Sequence, residues 1–265
     1  MDHFYHYLAN PIGSDDDGAL LFLAYTLNPD NARAAALRFC SNHLALPESP
    51  TSALLLDVAM GLYVLRALDI RDVQHGRRAF SLAQLTQEVD AAFATFAWSE
   101  VFGFAAVEDD EDLCDAVVWL YVFEHAGLRA FASVQPRVHQ TLEQRRLVYG
   151  HPEDARAWQW TSYLVTHVVY LKSDWGLQAP SELCDGEFRY IVDNLPRALV
   201  LEDVELVGEF VHCLRVLGCT LSPAQQAVVQ QGRALLARPH VALWRSRASF
   251  YTKFHTAWCI AVGLA

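Results

Sequence analysis

The sequence contains none of the short motifs that mark the commonest enzyme classes. Among its 265 residues there is no G-x-S-x-G, no G-x-x-x-x-G-K-[ST], no H-E-x-x-H and no G-x-G-x-x-G. These patterns provide, respectively, a serine nucleophile, a phosphate-binding loop, a pair of zinc-binding histidines and a dinucleotide-binding turn. The sequence therefore gives no support for a serine hydrolase, a P-loop nucleotide hydrolase, a zincin or a dinucleotide-binding enzyme.

Lysine is also scarce. Lys172 and Lys253 are the only two lysines, and the formal net charge of the chain is -11. Nucleic acids and anionic membrane surfaces are bound through basic patches, which displace counterions from phosphate groups. We therefore expect neither nucleic acid nor a membrane as a partner.

Long apolar runs and a secretory leader are missing as well. No apolar run reaches the roughly 18 residues that a membrane-spanning helix needs. The start of the chain, MDHFYHYLANPIGSDDD, lacks a basic segment followed by an apolar one. The six cysteines fall mostly in apolar, helix-like stretches, without the dense spacing of a disulfide framework. These absences predict a soluble, cytoplasmic protein with reduced thiols.

The alternation of β-branched apolar residues with polar ones that is typical of β-strands is nearly absent. Apolar residues instead recur three and four positions apart along almost the whole chain. This spacing is typical of packed helices and predicts an all-α protein. The predicted helices run from Gly18 to Leu27, Asn31 to Leu44, Thr51 to Leu68, Leu82 to Phe96, Asp112 to His125, Gln135 to Val148, Ala155 to Leu171, Gly186 to Asn194, Asp203 to Leu217, Pro223 to Leu236 and Thr252 to Leu264.

Short stretches with proline or glycine separate the predicted helices, as expected for turns between packed helices. In LGCTLSPAQQ, Gly218 is a predicted helix C-cap and Pro223 lies near the next helix start. The acidic run EDDEDLCD, Glu108 to Asp115, is typical of a solvated helix N-terminus. These connections predict a single all-α domain over residues 1–265.

Eleven helices in pairs fit either a solenoid of repeats or an α/α toroid. No repeat of fixed period is visible in the sequence, which argues against a solenoid. We therefore predict an α/α toroid, in which paired inner and outer helices surround a central pocket.

Several polar residues lie within apolar helices. In THVVYLKSDWG, His167 and Asp174 are seven positions apart and share a face if the helix continues that far. In EDVELVGEFVHCLRVLG, Glu205, Glu209 and His212 follow at spacings of four and three, which again share a face. A buried charge or imidazole is costly unless it is paired or binds a metal. These residues therefore need partners.

His255 lies in the last predicted helix, within FYTKFHTAWCIAVGL. Two histidines with one or two carboxylates fit Zn²⁺ or Fe²⁺. The candidate metal ligands are His167, Glu209, His212 and His255, and the candidate proton acceptors are Asp174 and Glu205.

Structural roles for the same residues remain open. His255 could instead be a packed core residue, and His167 and Asp174 could form a hydrogen-bonded pair. Glu205 lies in the first turn of its predicted helix, where it could be a solvated or a helix-capping charge. His212 and Cys213 are adjacent, so we expect only one of them, His212, to face inward.

The segment KFHTAWCIAVGL, Lys253 to Leu264, resembles the motif near the C-terminus of protein prenyltransferase β subunits. In that family the histidine is a zinc ligand in an α/α toroid, which implies the same role for His255. Aligning an upstream glycine of the family with Gly218 places the family's zinc-binding aspartate on Glu209. The family's zinc-binding cysteine falls on Val211, so His212 or Cys213 would have to replace it.

Two fainter similarities concern other helical proteins. The segment THVVYLKSDWG, with the Glu209 helix and the final F-H-T helix, is similar to uncharacterised bacterial proteins. The toroid also resembles terpenoid cyclases, which protonate their substrate through a D-x-D-D element. Here Asp110-Glu111-Asp112-Leu113 stands in place of that element.

The sequence thus predicts a metal-dependent enzyme, with zinc or iron, acting on a small-molecule or peptide-like substrate, as in a biosynthetic tailoring step. The metal would polarise the substrate or activate water. Two alternatives remain open: a non-catalytic helical module that binds a partner, and a metal-independent cyclase or lyase.

Overall fold

The computed structural model describes residues 17–75, 78–95, 109–150, 152–182, 184–240 and 250–265. These residues form eleven helices and one short β hairpin, which confirms the all-α prediction. In chain order the elements are α1 (Asp17–Leu27), α2 (Pro29–Asn42), α3 (Ser52–Ala67), β1 (Asp72–His75), β2 (Arg78–Ser81), α4 (Leu82–Phe93), α5 (Asp110–Ala126), α6 (Gln135–Leu147), α7 (Ala155–Lys172), α8 (Asp185–Val200), α9 (Val204–Leu217), α10 (Pro223–Leu236) and α11 (Phe250–Leu264).

Two features differ from the predicted helices. Helix α8 continues past the predicted end at Asn194, with Pro196 inside it. Its buried residues include Leu195 and Ala198 on either side of the proline, so packing offsets the lost hydrogen bond. The antiparallel hairpin, which pairs Asp72 with Ser81, was not predicted because four-residue strands are too short to show a clear alternation.

The chain divides into two compact units. One comprises Met1–Ala106 and Ala116–His139, and the other comprises Val107–Asp115 and Gln140–Ala265. Helix α5 contributes its first residues to the second unit and the remainder to the first. The single domain and the toroidal arrangement stay predictions.

In the first unit, α1 packs against α2 and α3. The buried carboxylate of Asp57 on α3 accepts hydrogen bonds from the backbone N–H groups of Gly18 and Ala19, both at 2.8 Å. A Cβ at Gly18 would lie 1.8 Å from the carbonyl oxygen of Asp57, so the two helices approach too closely there for any side chain. Asp57 thus satisfies the free N–H groups at the start of α1.

Replacing Asp57 by alanine is expected to lower the free energy of unfolding by about 1–2 kcal/mol, because two buried N–H groups lose their acceptor. Urea denaturation of the two proteins measures this difference. An unchanged denaturation midpoint would contradict it.

In the second unit, α9 is the central helix and packs against α7, α8, α10 and α11. Every residue from Leu206 to Leu214 is buried. The helix begins at an Asp203 N-cap and ends at Gly218, whose φ of 62° confirms the predicted C-cap. The expectation that only one of His212 and Cys213 faces inward is wrong, because α9 is covered on all sides and both are buried.

Helices α9 and α11 meet through two glycines. A Cβ at Gly208 would lie 2.3 Å from the carbonyl oxygen of Cys259, and a Cβ at Gly263 would lie 3.0 Å from Cα of Gly208. Contact this close between backbones is possible only without side chains at these positions. It brings Glu209, the neighbour of Gly208, against the side chains of α11.

Within the described part of the chain, no helix combines the length and the apolar character needed to cross a bilayer.

Candidate metal centre

Three side chains with metal-binding atoms meet between α9 and α11: Glu209, His255 and Cys259. One ligand atom from each lies within 4.8 Å of the other two. Oε1 of Glu209 is 3.7 Å from Nε2 of His255 and 3.9 Å from Sγ of Cys259. Sγ of Cys259 is 3.9 Å from Nδ1 of His255. We call these three residues the metal group.

The separations of Oε1 of Glu209 from the other two ligands are close to those of a tetrahedral zinc site. With Zn–O and Zn–N distances of about 2.0–2.1 Å and a Zn–S distance of about 2.3 Å, neighbouring ligand atoms lie about 3.3–3.6 Å apart. Oε1 of Glu209 is within a few tenths of an ångström of these separations from Nε2 of His255 and from Sγ of Cys259. One ligand atom from each residue lies within 4.8 Å of the other two, so the set would close by up to about 1.5 Å around an ion. The group could therefore hold a metal ion.

Glu209 is completely buried. Its Oε2 accepts a hydrogen bond of 2.6 Å from the hydroxyl of Thr166 on α7, which fixes the carboxylate. Burial raises the pKa of Glu209 to about 7, although the charge of His255 and the Thr166 hydrogen bond act to lower it. A cation bound at Oε1 would compensate the cost of burying this charge.

His255 is the most accessible member of the metal group, with 23% of its side chain exposed. Burial acts to lower the pKa of His255, but the nearby carboxylates of Glu205 and Glu209 raise it overall. The ring stacks on Trp258 at 6.1 Å between centroids. The other two members, Glu209 and Cys259, are buried.

Glu205 lies beside the metal group, one turn before Glu209 on α9. Its carboxylate accepts hydrogen bonds from the hydroxyls of Thr256 and Tyr163, the latter at 3.2 Å. Its Oε2 is 3.7 Å from Nδ1 of His255. Burial acts to raise the pKa of Glu205, but the contacts with His255, Thr256 and Tyr163 lower it overall. Asp203, and not Glu205, caps α9.

Cys259 is the one member of the metal group that was not among the ligands predicted from the sequence. The available signal was its spacing of four residues after His255, which places both on one face of a helix. The thiol is buried, and burial, with the charges of Glu209 and Glu205, raises its pKa well above the ordinary value. A bound metal cation would favour its thiolate form.

His167 is not part of the metal group. Its Nδ1 is 2.7 Å from the carbonyl oxygen of Tyr163, and its ring meets the rings of Tyr170 and Trp175 edge-on at 5.8 and 5.9 Å. A carbonyl oxygen only accepts, so Nδ1 is the protonated nitrogen. Burial lowers the pKa of His167 to about 4, despite that hydrogen bond. The ring is therefore neutral.

His212 also lies outside the metal group. Its ring packs against Tyr170 and Trp258 and lies so close to Gly176 that a Cβ added to this glycine would come within 2.8 Å of the ring. Burial, with the charge of Arg215, lowers the pKa of His212 to about 3. Of the four predicted ligands, the structure thus gathers only Glu209 and His255.

Asp174 does not share a helical face with His167, because α7 ends at Lys172 and the condition for a shared face is not met. Asp174, Trp175 and Gly176 have φ values of 48°, 59° and 83°. This left-handed turn is unusual for residues other than glycine. It brings Trp175 back onto Tyr170, with 5.7 Å between ring centroids.

The acidic run is a helix N-terminus, as predicted, with Asp110, Glu111 and Asp112 in the first turn of α5. Glu108 lies outside the described residues. Asp110 pairs with Arg145 and accepts from Thr161, and Glu111 pairs with Arg156. These groups line an open pocket of about 500 Å³. The carboxylates of Asp110 and Glu111 are held in ion pairs, unlike an acid that is free to protonate a substrate.

Comparison with known proteins relates part of the chain to a family. A family model described as a domain of unknown function (DUF6895) matches residues 116–241. No curated protein and no solved structure matches the chain. The matched range includes Glu205 and Glu209 but ends before His255 and Cys259.

Proposed function

We propose that the protein is a metal-dependent enzyme whose ion is held by Glu209, His255 and Cys259. The observation that supports this proposal is the convergence of three different ligand types from two helices within 4.8 Å, around a carboxylate that is completely buried. A set of thiolate, imidazole and carboxylate favours zinc over iron. The same proposal includes an α/α-toroid fold, as the resemblance to prenyltransferase β subunits implies.

Three protein ligands leave a fourth tetrahedral position for a substrate or a water molecule, as in catalytic zinc sites. A small-molecule or peptide-like substrate would approach from the exposed side of His255. When bound, the ion would supply Lewis acidity or activate water. Proton transfer by Asp174 or Glu205 stays a prediction.

Metal analysis of the purified protein tests the proposal. We expect about one zinc per wild-type chain, as in catalytic zinc sites with three protein ligands, and loss of that zinc in His255→Ala and in Cys259→Ser. His212→Gln and Cys213→Ser are matched controls, because both residues are buried on α9 but lie outside the metal group. The proposal would be contradicted by a wild type that folds normally without zinc. It would also be contradicted if the control variants lost zinc while His255→Ala and Cys259→Ser kept it.

Cobalt substitution tests whether the site is open. We expect Co²⁺ to give a sulfur-to-metal charge-transfer band that is absent in Cys259→Ser, and azide to change the visible absorption of the cobalt protein. A cobalt spectrum that does not respond to azide would indicate a closed, structural site instead of a catalytic one.

A further inference from the structure

Two helices of the second unit, α7 and α11, supply hydrogen-bond donors to the carboxylate of Glu205, although it lies outside the metal group. Thr256 on α11 donates to Oε1, and Tyr163 on α7 donates to Oε2 at 3.2 Å. Thr256 is the residue next to His255, and Tyr163 is three residues before Thr166, which holds Glu209. The two donors fix the orientation of Glu205 at the edge of the metal group.

The contacts of the two nitrogens of His255 differ. Nδ1 is 3.7 Å from Oε2 of Glu205, whereas Nε2 is 3.7 Å from Oε1 of Glu209. Nδ1 is also 3.9 Å from Sγ of Cys259. A carboxylate is a much stronger hydrogen-bond acceptor than sulfur, so a proton on Nδ1 would be directed to Glu205. A movement of about 0.5–1 Å would bring this pair to hydrogen-bonding distance.

We propose that Glu205 is a positioning residue that accepts the Nδ1 proton of His255 and thereby presents the Nε2 lone pair to a metal ion held with Glu209 and Cys259. This inference rests on the proposed function of the site. Glu205 acts through His255 and does not itself bind the ion. Histidine ligands commonly have such a carboxylate on the other ring nitrogen, and its loss weakens metal affinity by about 10- to 100-fold.

The two donors to Glu205 then have a defined role. Tyr163 and Thr256 occupy lone pairs of the carboxylate that would otherwise bind water, and they limit its rotation. Removing either hydroxyl is expected to weaken zinc binding less than removing Glu205 itself, because the acceptor for Nδ1 remains.

Zinc affinity, measured by competition with a chromogenic chelator, tests the inference. We expect Glu205→Ala to bind zinc about 10- to 100-fold more weakly than wild type, with Glu205→Gln in between because its amide oxygen still accepts a hydrogen bond. Thr256→Val is expected to weaken binding by less than Glu205→Ala. Thr161→Val is a matched control, because it also removes a threonine-to-carboxylate hydrogen bond, to Asp110, away from the metal group. If Glu205→Ala does not fold, the zinc affinity of Glu205→Gln tests the inference instead.

The protonated nitrogen of His255 gives a readout that a merely structural role would not affect. In ¹⁵N-histidine-labelled, zinc-loaded protein, we expect long-range ¹H–¹⁵N spectra to show the His255 proton on Nδ1. A proton on Nε2, or zinc affinity of both Glu205 variants within threefold of wild type, would overturn the inference while leaving the metal centre intact. A wild type that binds no zinc would overturn the proposed function and this inference together.

Discussion

Replacing Glu209 by methionine is expected to abolish stabilisation by zinc while leaving the metal-free protein at least as stable as the metal-free wild type. Zinc at about a thousandfold excess over its dissociation constant stabilises a folded protein by about 4 kcal/mol, and the variant would lose all of that gain. Urea denaturation of the wild type and the variant, each with zinc and with EDTA, provides the four free energies of unfolding that are needed.

The reason lies in the environment of the carboxylate. Glu209 is completely buried, and burial raises its pKa to about 7, so the charged form is costly in the metal-free fold. Methionine has a similar length and no charge, and apolar replacement of a buried ionic group is often neutral or stabilising. Thr166 keeps an acceptor after the change, because its hydroxyl also lies 3.0 Å from the carbonyl oxygen of Tyr163.

Glu187 on α8 provides a matched control. It too is a buried glutamate, but it pairs with Arg146 at 2.8 Å and accepts from Tyr149 at 2.6 Å. Glu187→Met removes one carboxylate from Arg146, which keeps Glu143 and Glu182 as partners, and is expected to cost about 1.5–3 kcal/mol with or without zinc.

The same measurements separate the metal site from the non-catalytic alternative. If the cluster around Glu209 were only an internal hydrogen-bond network, Glu209→Met would lower the stability of the metal-free protein and zinc would have no effect on the wild type. That result would rule out the metal centre.

Replacing Gly208 by alanine is expected to lower the free energy of unfolding by about 1–2 kcal/mol and to abolish zinc binding. The new Cβ would lie 2.3 Å from the carbonyl oxygen of Cys259, which is backbone and cannot rotate away. Overpacking of this kind costs about 1–3 kcal/mol or occasionally more, and the gain in helix propensity from glycine to alanine offsets up to about 1 kcal/mol. Helix α11 must move away from α9, which separates His255 and Cys259 from Glu209.

The control is Gly186→Ala, in the first turn of α8. Its added Cβ would meet no atom closer than 3.6 Å, so the same chemical change is expected to leave stability unchanged or to raise it slightly. Urea denaturation and zinc titration of both variants give the comparison. A Gly208→Ala protein with wild-type stability and zinc affinity would show that α9 and α11 do not need this close contact.

Local sequence signals were sufficient for the helical framework. The three- and four-residue spacing of apolar residues indicated each of the eleven helices, and Gly218 marked the end of α9, because both signals depend on neighbours along the chain. They failed where packing outweighs local preference. Pro196 lies inside α8, and the hairpin strands are too short to show a pattern.

The candidate site was predictable to a smaller extent. A carboxylate or imidazole buried in an apolar helix needs a polar or charged partner. For this reason Glu209 and His255 were recognisable as candidates from the sequence around them. His167 and His212 satisfied the same criterion, yet the fold provides them with a backbone carbonyl and aromatic neighbours instead of the metal group. Sequence spacing cannot distinguish these outcomes, because each depends on the direction in which a helix face points.

The sequence by itself therefore determined that the protein is helical and that polar side chains of α7, α9 and α11 need partners inside it. Only the tertiary structure decided which of them meet. The physical reason is the contact at Gly208 and Gly263, where the absence of side chains lets α9 and α11 approach closely enough for Cys259 to join Glu209 and His255. Distances between helices depend on packing of residues far apart in the chain, which no local pattern records.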